Sequence, residues 1–425
     1  MEIINKKILL LSTGDVNGAY EAVYKLGFFL KKKGFHVAMV VKDKTRADDF
    51  IIVYKQTVPK KRSIFELLFL KVKNKLTKRK QKTKIVFDSK YSFLSVDETI
   101  GQVSANSLIN QIGFTPDFIF TGMTSNFINS TDLLAIQQLT KAQVYNIAVD
   151  MNHFTGGCHY AWDCEGYIKG CNNNCPAIIS SFGKNTAQIN FETKLKNAKS
   201  GGFKTIVMSE YTSDQAKKSK IYQDQKRIPN VNGLIDTDLL NNNSRDFAKR
   251  IFNLDQNKFY ILMGCQNAND PRKGFQYLLE SLKILEQNIT LSQRDRIVVL
   301  IVSRNNAENF SEIPFAKQHI DYIKDYRLLS LLYQASDVFV NSSIEDSGPM
   351  MVSEALACGT PVVGFNMGAV SNMVITGFNG YRGILKDSND LSKGIKSILE
   401  LDKSEYTQYS FNAVNKVEKE SSLES

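Results

Sequence analysis

The chain lacks long apolar runs. No stretch approaches the roughly 18 consecutive apolar residues of a transmembrane helix, so none is expected. The first residues also lack the long apolar core and small-residue cleavage site of a signal peptide, and residues 8–11 are better explained as a first buried strand. Six cysteines in 425 residues are too few for a disulfide scaffold. We therefore expect a protein of the reducing cytoplasm.

Acidic residues are fewer than basic ones. The net charge is +11 and the isoelectric point is about 9.1, which favours polyanionic partners such as anionic lipid, phosphorylated substrates or nucleic acid. Residues 55–84 hold twelve Lys or Arg against one acid, Glu66, with an apolar cluster at 64–70. This basic segment fits either an amphipathic helix on an anionic membrane or a solvated excursion. Because basic residues cluster in one excursion, without aromatic residues interleaved on a sheet, no nucleic-acid partner is expected.

A chain of this length is too long for one ordinary core. Predicted strands and helices alternate through both halves, which is typical of parallel sheets covered on both faces. The turn-rich stretch around residues 229–238 suggests a division near residue 245. We therefore predict an N-terminal domain (1–245) and a C-terminal domain (246–425), whose last helix is a candidate to pack back on the first domain.

The segment 346–363, DSGPMMVSEALACGTPVV, contains the strongest local signal. Two carboxylates, Asp346 and Glu354, lie eight positions apart, and the pattern predicts a loop, a helix and a buried strand. A helix start binds phosphate through its backbone N–H groups, and carboxylates can accept from sugar or ribose hydroxyls. The alternative is an ordinary helix between strands with two surface acids, because short motifs have false positives.

Four segments, taken in order, form a recognisable set. They contain Asp15, Asn17, Gly18 and Ala19; Pro229, Asn230, Gly233, Asp236 and Thr237; residues 271–274 (PRKG); and residues 346–363. Together they resemble retaining glycosyltransferases of family 4, and the resemblance covers nearly the whole chain. Residues 155–160, TGGCHY, further resemble bacterial transferases of exopolysaccharide and colanic-acid type. The family implies the GT-B fold, which is two Rossmann-like parallel-sheet domains facing a cleft.

The resemblance implies a donor site in the C-terminal domain. A cation near the departing diphosphate would stabilise the charge that grows there, and Arg272 and Lys273 are the candidates. Asp346 would contact the donor sugar and Glu354 the ribose. Backbone at Gly348, Met350 and Met351 would contact phosphate or sugar. The family usually has an arginine where this chain has Ala268, so Arg304 is a second candidate cation.

The acceptor side is expected in the N-terminal domain, at Asn17, Gly18, Asp150 and His153. The related sequences end a strand in His-Asp, whereas this chain has Val149 before Asp150. His153 either replaces the missing histidine or is structural.

Cys158, Cys164, Cys171 and Cys175 lie in the cysteine-rich loop 155–176. Three interpretations stay open: a structural zinc site, thiols without a ligand, and disulfide pairs. No catalytic metal or other cofactor is expected, because the resembled fold works without one.

The resulting hypothesis is a retaining hexosyltransferase. It would move sugar from a nucleotide diphosphate to a carbohydrate or lipid-linked oligosaccharide in bacterial surface polysaccharide synthesis, at the inner membrane face. A dinucleotide oxidoreductase is disfavoured because no G-x-G-x-x-G follows the first strand. The main alternative is a catalytically inactive homologue that acts as a partner or scaffold in glycan assembly. Val149, Ala268 and the shorter Asp346 favour this alternative.

Overall fold

The computed structural model describes residues 5–16, 18–56, 85–94, 97–304, 308–348 and 350–422. The chain forms two compact units. The first comprises Met1–Ile147, Met151–Thr205 and Ala216–Lys226, and the second comprises Ala148–Asp150, Ile206–Gln215 and Arg227–Ser425. Most of the basic segment, residues 57–84, and Asn17 lie outside the described residues.

The first sheet is built from apolar strands of the N-terminal half. Its order is β3-β2-β1-β4-β5-β6, and the pairs β1–β2, β1–β4, β2–β3 and β4–β5 are parallel. The central strand β1 is buried from its second residue onward, as expected for a strand covered on both faces. The strands are β1 (Lys7–Ser12), β2 (His36–Val41), β3 (Ile51–Val53), β4 (Phe118–Thr121), β5 (Gln143–Ala148) and β6 (Lys204–Val207).

The second sheet repeats this architecture with the order β12-β11-β10-β7-β8-β9, and its neighbouring strands are all parallel. Its core includes the fully buried rings of Tyr333 and Phe339, which meet edge to face. The strands are β7 (Phe259–Gly264), β8 (Ile297–Ser303), β9 (Ala316–Asp321), β10 (Val338–Asn341), β11 (Val362–Phe365) and β12 (Gly380–Gly383).

The helices of the described residues alternate with these strands. Those of the N-terminal half are α1 (Gly18–Lys32), α2 (Ala105–Ile112), α3 (Ser130–Thr140), α4 (Gly166–Lys169), α5 (Thr186–Gly201) and α6 (Glu210–Lys218). Those of the C-terminal half are α7 (Arg245–Ile251), α8 (Phe275–Gln287), α9 (Leu291–Arg296), α10 (Tyr326–Ala335), α11 (Met350–Ala357), α12 (Val370–Met373), α13 (Ser388–Leu399) and α14 (Lys403–Glu420).

The turn-rich connection around residues 229–238 belongs to the second unit, although the sequence suggested the first domain. Hydrogen bonds explain this placement, since the carbonyl of Asn232 accepts from the hydroxyls of Ser353 on α11 and Ser421 after α14, at 3.0 Å each. The last helix, α14, also packs against α11 within this unit. A domain boundary near residue 245, and packing of α14 on the first domain, stay predictions.

The described part of the chain contains no helix that is both long and apolar enough to cross a membrane. The two parallel sheets and their flanking helices confirm the expected α/β fold with two Rossmann-like parallel sheets. The sequence did not predict β3, β9 and β12, which lie at sheet edges. Five of the six residues of β9 are exposed, so its sequence lacks the apolar pattern of a buried strand.

Gly274 begins α8 at a point where two loops of the second unit touch. Its φ is +62°, and a Cβ there would lie 2.0 Å from the carbonyl oxygen of Ser342. Gly377 has a similar φ of +79° but no heavy atom within 4 Å of its Cβ position. We predict that Gly274→Ala lowers the free energy of unfolding by about 1–3 kcal/mol more than Gly377→Ala, because both add backbone strain but only the first adds a clash. Urea unfolding followed by circular dichroism would measure this difference, and equal losses would contradict the expected close approach.

Candidate donor site and surrounding residues

The structure brings Lys273 and Asp346 into direct contact. The ammonium Nζ of Lys273 lies 2.5 Å from Oδ2 of Asp346, although the two residues are 73 positions apart in the chain. Lys273 follows β7 and Asp346 follows β10, and these two strands are neighbours in the second sheet. In parallel α/β sheets this carboxyl edge is where ligands bind.

Backbone hydrogen bonds hold the two loops together on either side of this contact. Asp270 caps a single 3₁₀ turn, Pro271–Lys273, by accepting from the N–H of Arg272 at 3.0 Å. The carbonyl of Arg272 then accepts from the N–H of Ile344 at 2.7 Å, and the carbonyl of Lys273 accepts from the hydroxyl of Ser342 at 2.8 Å. These hydrogen bonds fix the backbone at Lys273, and the fixed backbone holds the Lys273 side chain near Asp346.

The carboxyl of Asp346 is ionised more readily than usual. Burial by itself would raise its pKa, but the charges of Lys273 and Arg272 and the hydrogen bond from Lys273 outweigh burial and lower it. The site thus combines a carboxylate that stays charged at neutral pH with two cations. In this state an anionic ligand would have to compete with Asp346 for Lys273.

Arg272 also has an acidic partner. Its Nη2 lies 2.5 Å from Oδ2 of Asp270, in the same turn. The sequence singled out the cations of the PRKG segment but missed Asp270, although Asp before Pro is a recognisable helix-cap signal. Arg304, the alternative cation, stacks its guanidinium 4.4 Å from the ring centre of Tyr322.

The loop before α11 is fixed by residues of the second unit. The carbonyl of Ser347 accepts from the hydroxyls of Ser209 and Thr212, the latter at 2.7 Å. A Cβ on Gly348 would come within 2.9–3.0 Å of Met208, so this position has no room for a side chain. Met350 and Met351 form the first turn of α11, and the side chain of Met351 packs over Gly264 at the end of β7.

Glu354 is more enclosed than its expected contact with a ribose suggests. It is only 4% exposed, and its Oε2 accepts from the hydroxyl of Tyr333 on α10 at 3.1 Å. Burial, with the neighbouring Glu354, raises the pKa of Tyr333 well above its usual value, so this hydroxyl stays a donor. The sequence did not single out Tyr333, because a tyrosine inside an apolar helix pattern is normally assigned to the core.

Candidate residues of the N-terminal half are located as follows. His153 lies in the 3₁₀ turn Asn152–Phe154, and its Nε2 is 2.9 Å from the carbonyl oxygen of Gly122. A carbonyl only accepts, so Nε2 carries the hydrogen in this arrangement. Asp150 is 3% exposed and follows β5, and Gly18 begins α1 with a φ of +47°. Their acceptor roles stay predictions, and Asn17 lies outside the described residues.

Asp15, from the N-terminal loop, has a structural explanation. Its carboxylate accepts from the backbone N–H groups of Thr45 and Arg46 at 2.8–3.0 Å. The guanidinium of Arg46 in turn donates to both oxygens of Glu21 and lies 3.7 Å from the ring centre of Tyr24. These contacts fix the loop after β1 against the loop after β2, within the first unit.

The four cysteines of the loop 155–176 border one small cavity of about 10 Å³ in the first unit. Burial raises the pKa of the Cys171 thiol to about 12 and that of Cys158 further still, so both are protonated at neutral pH. All six cysteines lie in the described residues and are free thiols. No group of three or more His, Cys, Asp or Glu side chains in the described ranges could hold a metal ion. The structure thus does not support the zinc interpretation over unliganded thiols.

Solved glycosyltransferases share this two-sheet architecture. A glycosyltransferase from Rickettsia africae superposes with a TM-score of 0.62 at 14% identity, covering 99% of this chain and 95% of that one. Anabaena Alr3699/HepE, solved in complex with UDP and glucose, gives a TM-score of 0.58 at 14% identity, with coverage of 99% and 96%. The fold is therefore GT-B, as the resemblance implied.

Sequence comparisons also find glycosyltransferases. Residues 244–415 match the family model described as "Glycosyl transferases group 1". An uncharacterized glycosyltransferase of Methanocaldococcus jannaschii, MJ1178, is 24% identical over 274 residues, which are 63% of this chain and 70% of that protein. The chain is thus similar to glycosyltransferases in its fold and, over residues 244–415, in its sequence.

Removing the cation from the contact should change how stability depends on pH. In the wild type, the lowered pKa of Asp346 stabilises the folded state at pH values above the pKa of an unfolded aspartate, about 3.9. This stabilisation is lost as the pH falls through the pKa of Asp346 in the folded state. In Lys273→Met, burial still raises the pKa of Asp346, but fewer partners lower it. The pKa of Asp346 in the folded variant is therefore higher than in the wild type. We therefore predict that the loss of unfolding free energy in Lys273→Met grows between pH 3 and pH 7.

Urea unfolding at several pH values would measure that loss. Lys283→Met is the matched control, because Lys283 pairs with Glu312 at 2.8 Å on the surface, where both side chains are at least 41% exposed. A loss of the same size at pH 3 and pH 7 would show that Asp346 does not depend on Lys273 for its charge.

Proposed function

We propose that the protein is a retaining glycosyltransferase that takes a sugar from a nucleotide diphosphate donor. The observation that supports this proposal is the contact between Lys273 and Asp346 at the carboxyl edge of the second sheet. A cation at this edge can neutralise a diphosphate, and a carboxylate beside it can accept from sugar hydroxyls. The complex of Anabaena HepE with UDP and glucose provides a precedent for such a donor in the same fold.

The residues of the proposed site would have the following roles. Lys273, with Arg272, would hold the diphosphate and stabilise the charge that grows on the leaving oxygen. Asp346 would orient the sugar, and Glu354, although it is enclosed and held by Tyr333, would accept from the ribose hydroxyls. Backbone groups of Gly348, Met350 and Met351 would contact the phosphates or the sugar, as the sequence resemblance implies.

Retention requires that the new bond form on the face from which the diphosphate leaves. The bond between the anomeric carbon and the diphosphate oxygen breaks, and an acceptor hydroxyl attacks on that same face. The proton of this hydroxyl passes to the departing diphosphate oxygen. The sequence resemblance supports this stereochemistry. It also supports a carbohydrate or lipid-linked oligosaccharide acceptor, approached from Gly18, Asp150 and His153, and a role in surface polysaccharide synthesis.

The donor site can be tested by measuring nucleoside diphosphate release from UDP-sugars and GDP-sugars. We predict that Lys273→Met lowers the release rate about 100-fold, as expected when one group that stabilises leaving-group charge is removed. Lys283→Met, which removes an exposed lysine of the same unit, should leave it unchanged. Undiminished release by Lys273→Met would refute the role of this lysine.

A partner or scaffold without catalysis is the second candidate. The enclosure of Glu354 and the presence of Val149 and Ala268 favour it. The same assay separates the two, with Glu354→Ala as control: an enzyme releases UDP or GDP in a manner that depends on Glu354. A thermal-shift titration adds a second criterion, because a ligand at 100 times its dissociation constant stabilises the folded state by about 2.7 kcal/mol.

We further propose that the protein works at the cytoplasmic face of the inner membrane, held by the basic segment 55–84. This proposal rests on the twelve basic residues and the apolar cluster of that segment. Deleting the segment should abolish sedimentation with anionic vesicles and leave donor hydrolysis unchanged. Vesicle binding that survives the deletion, or that is insensitive to salt, would refute this attachment.

A further inference from the structure

The first unit contains a cavity of about 240 Å³, and its lining includes His153, a residue proposed above for the acceptor side. It lies beside β4 and β5, and its lining includes the start of α3, the 3₁₀ turn with His153, and one face of α5. Because both strands end there, the cavity lies where parallel α/β sheets bind their ligands.

A buried ion pair lines this cavity. Lys194 Nζ is 3.4 Å from Oε1 of Glu98, and both side chains are no more than 6% exposed. Both have further partners: Glu98 accepts from the N–H of Ser130 at the start of α3 at 2.8 Å, and Lys194 donates to the carbonyl oxygen and the side-chain Oδ1 of Asn152 at 2.7 and 3.3 Å. A buried ion pair usually contributes less to the free energy of unfolding than apolar side chains of similar volume. A role in binding would explain why this pair is present.

The charges of this pair cancel locally. Glu98 already occupies the start of α3, where an anion would otherwise bind, and Asp97 adds a second carboxylate to the lining. An anionic ligand would therefore meet acids as well as the lysine. A neutral ligand rich in hydroxyl groups would instead find charged acceptors and donors, which form stronger hydrogen bonds than neutral groups.

The rest of the lining also suits a sugar ring. It includes the polar residues Gln102, Ser125 and Asn126 and the aromatic residues Phe127 and Phe203. Sites for small molecules combine apolar walls with a few directed polar groups in this way, and drug-sized ligands take about 300–1,000 Å³. A cavity of about 240 Å³ is thus suited to one ring rather than to an oligosaccharide.

We propose that this cavity binds one neutral pyranose ring, the terminal sugar of the acceptor, through Glu98 and Lys194. The identity of that sugar as the acceptor rests on the proposed function, whereas the binding of a neutral ring does not. The cavity is thus a site for a polyhydroxylated, uncharged ligand, separate from the donor site of the second unit.

The test is saturation-transfer NMR on the full chain with methyl glycosides of glucose and galactose, and with methyl glucuronide and glucose 1-phosphate as charged counterparts. We predict that a neutral glycoside binds and that the charged ones bind more weakly. The double variant Glu98→Gln/Lys194→Met should weaken binding about tenfold or more, because it removes both charges together without leaving either unpaired. The matched control is Glu312→Gln/Lys283→Met, the same change at an exposed pair, which should bind as the wild type does.

A second variant keeps the test decisive if the double variant fails to fold. Ala198 lines the cavity from α5 and is 6% exposed, so Ala198→Leu would fill the space without removing a hydrogen-bonding group. Loss of glycoside binding in Ala198→Leu supports the proposal. Binding unchanged in either cavity variant, no neutral glycoside bound by the wild type, or a preference for the charged sugars would overturn it.

Nucleoside diphosphate binding, measured by thermal shift on the same samples, separates this proposal from the donor site. If UDP or GDP binds and no neutral glycoside does, only the cavity proposal fails. If a neutral glycoside binds and no nucleotide does, the donor proposal fails and the cavity remains a sugar site.

Discussion

The contact between Lys273 and Asp346 is the constraint on which the proposed chemistry depends. A buried carboxylate is costly unless a cation compensates it, and Lys273 is held close enough to do so. In the proposed function, the same lysine would contact the diphosphate of the donor. When the donor binds, Lys273 would therefore pair with the diphosphate instead of Asp346. Asp346 would then accept hydrogen bonds from the hydroxyls of the sugar.

Backbone packing makes this contact possible. The loops after β7 and β10 approach so closely that only glycine fits at position 274, and carbonyl groups of one loop accept from the other. The loop before α11 is equally tight at Gly348, and α11 is tied through Ser353 to Asn232. The charged side chains thus stand on a rigid frame, which is the condition for stabilising a transition state without reorganisation.

The sequence predicted the alternation of strands and helices well, because long buried strands and amphipathic helices leave strong periodic patterns. The family resemblance also implied one donor site for Lys273 and Asp346, and the structure shows these two side chains in contact. Tyr333 beside Glu354, Asp270 beside Arg272, and the Glu98–Lys194 pair were not predicted. These partners are far apart in the chain or resemble ordinary core and cap residues, so only the folded arrangement reveals them.

The most direct test of the donor site is a crystal structure of the full chain with UDP or GDP bound. We predict that the diphosphate lies within hydrogen-bond distance of Lys273 Nζ and that the ribose of the nucleotide lies next to Glu354. The distance between Lys273 and Asp346 should be longer than in the unliganded protein. A nucleotide bound elsewhere, with Lys273 still on Asp346, would contradict it.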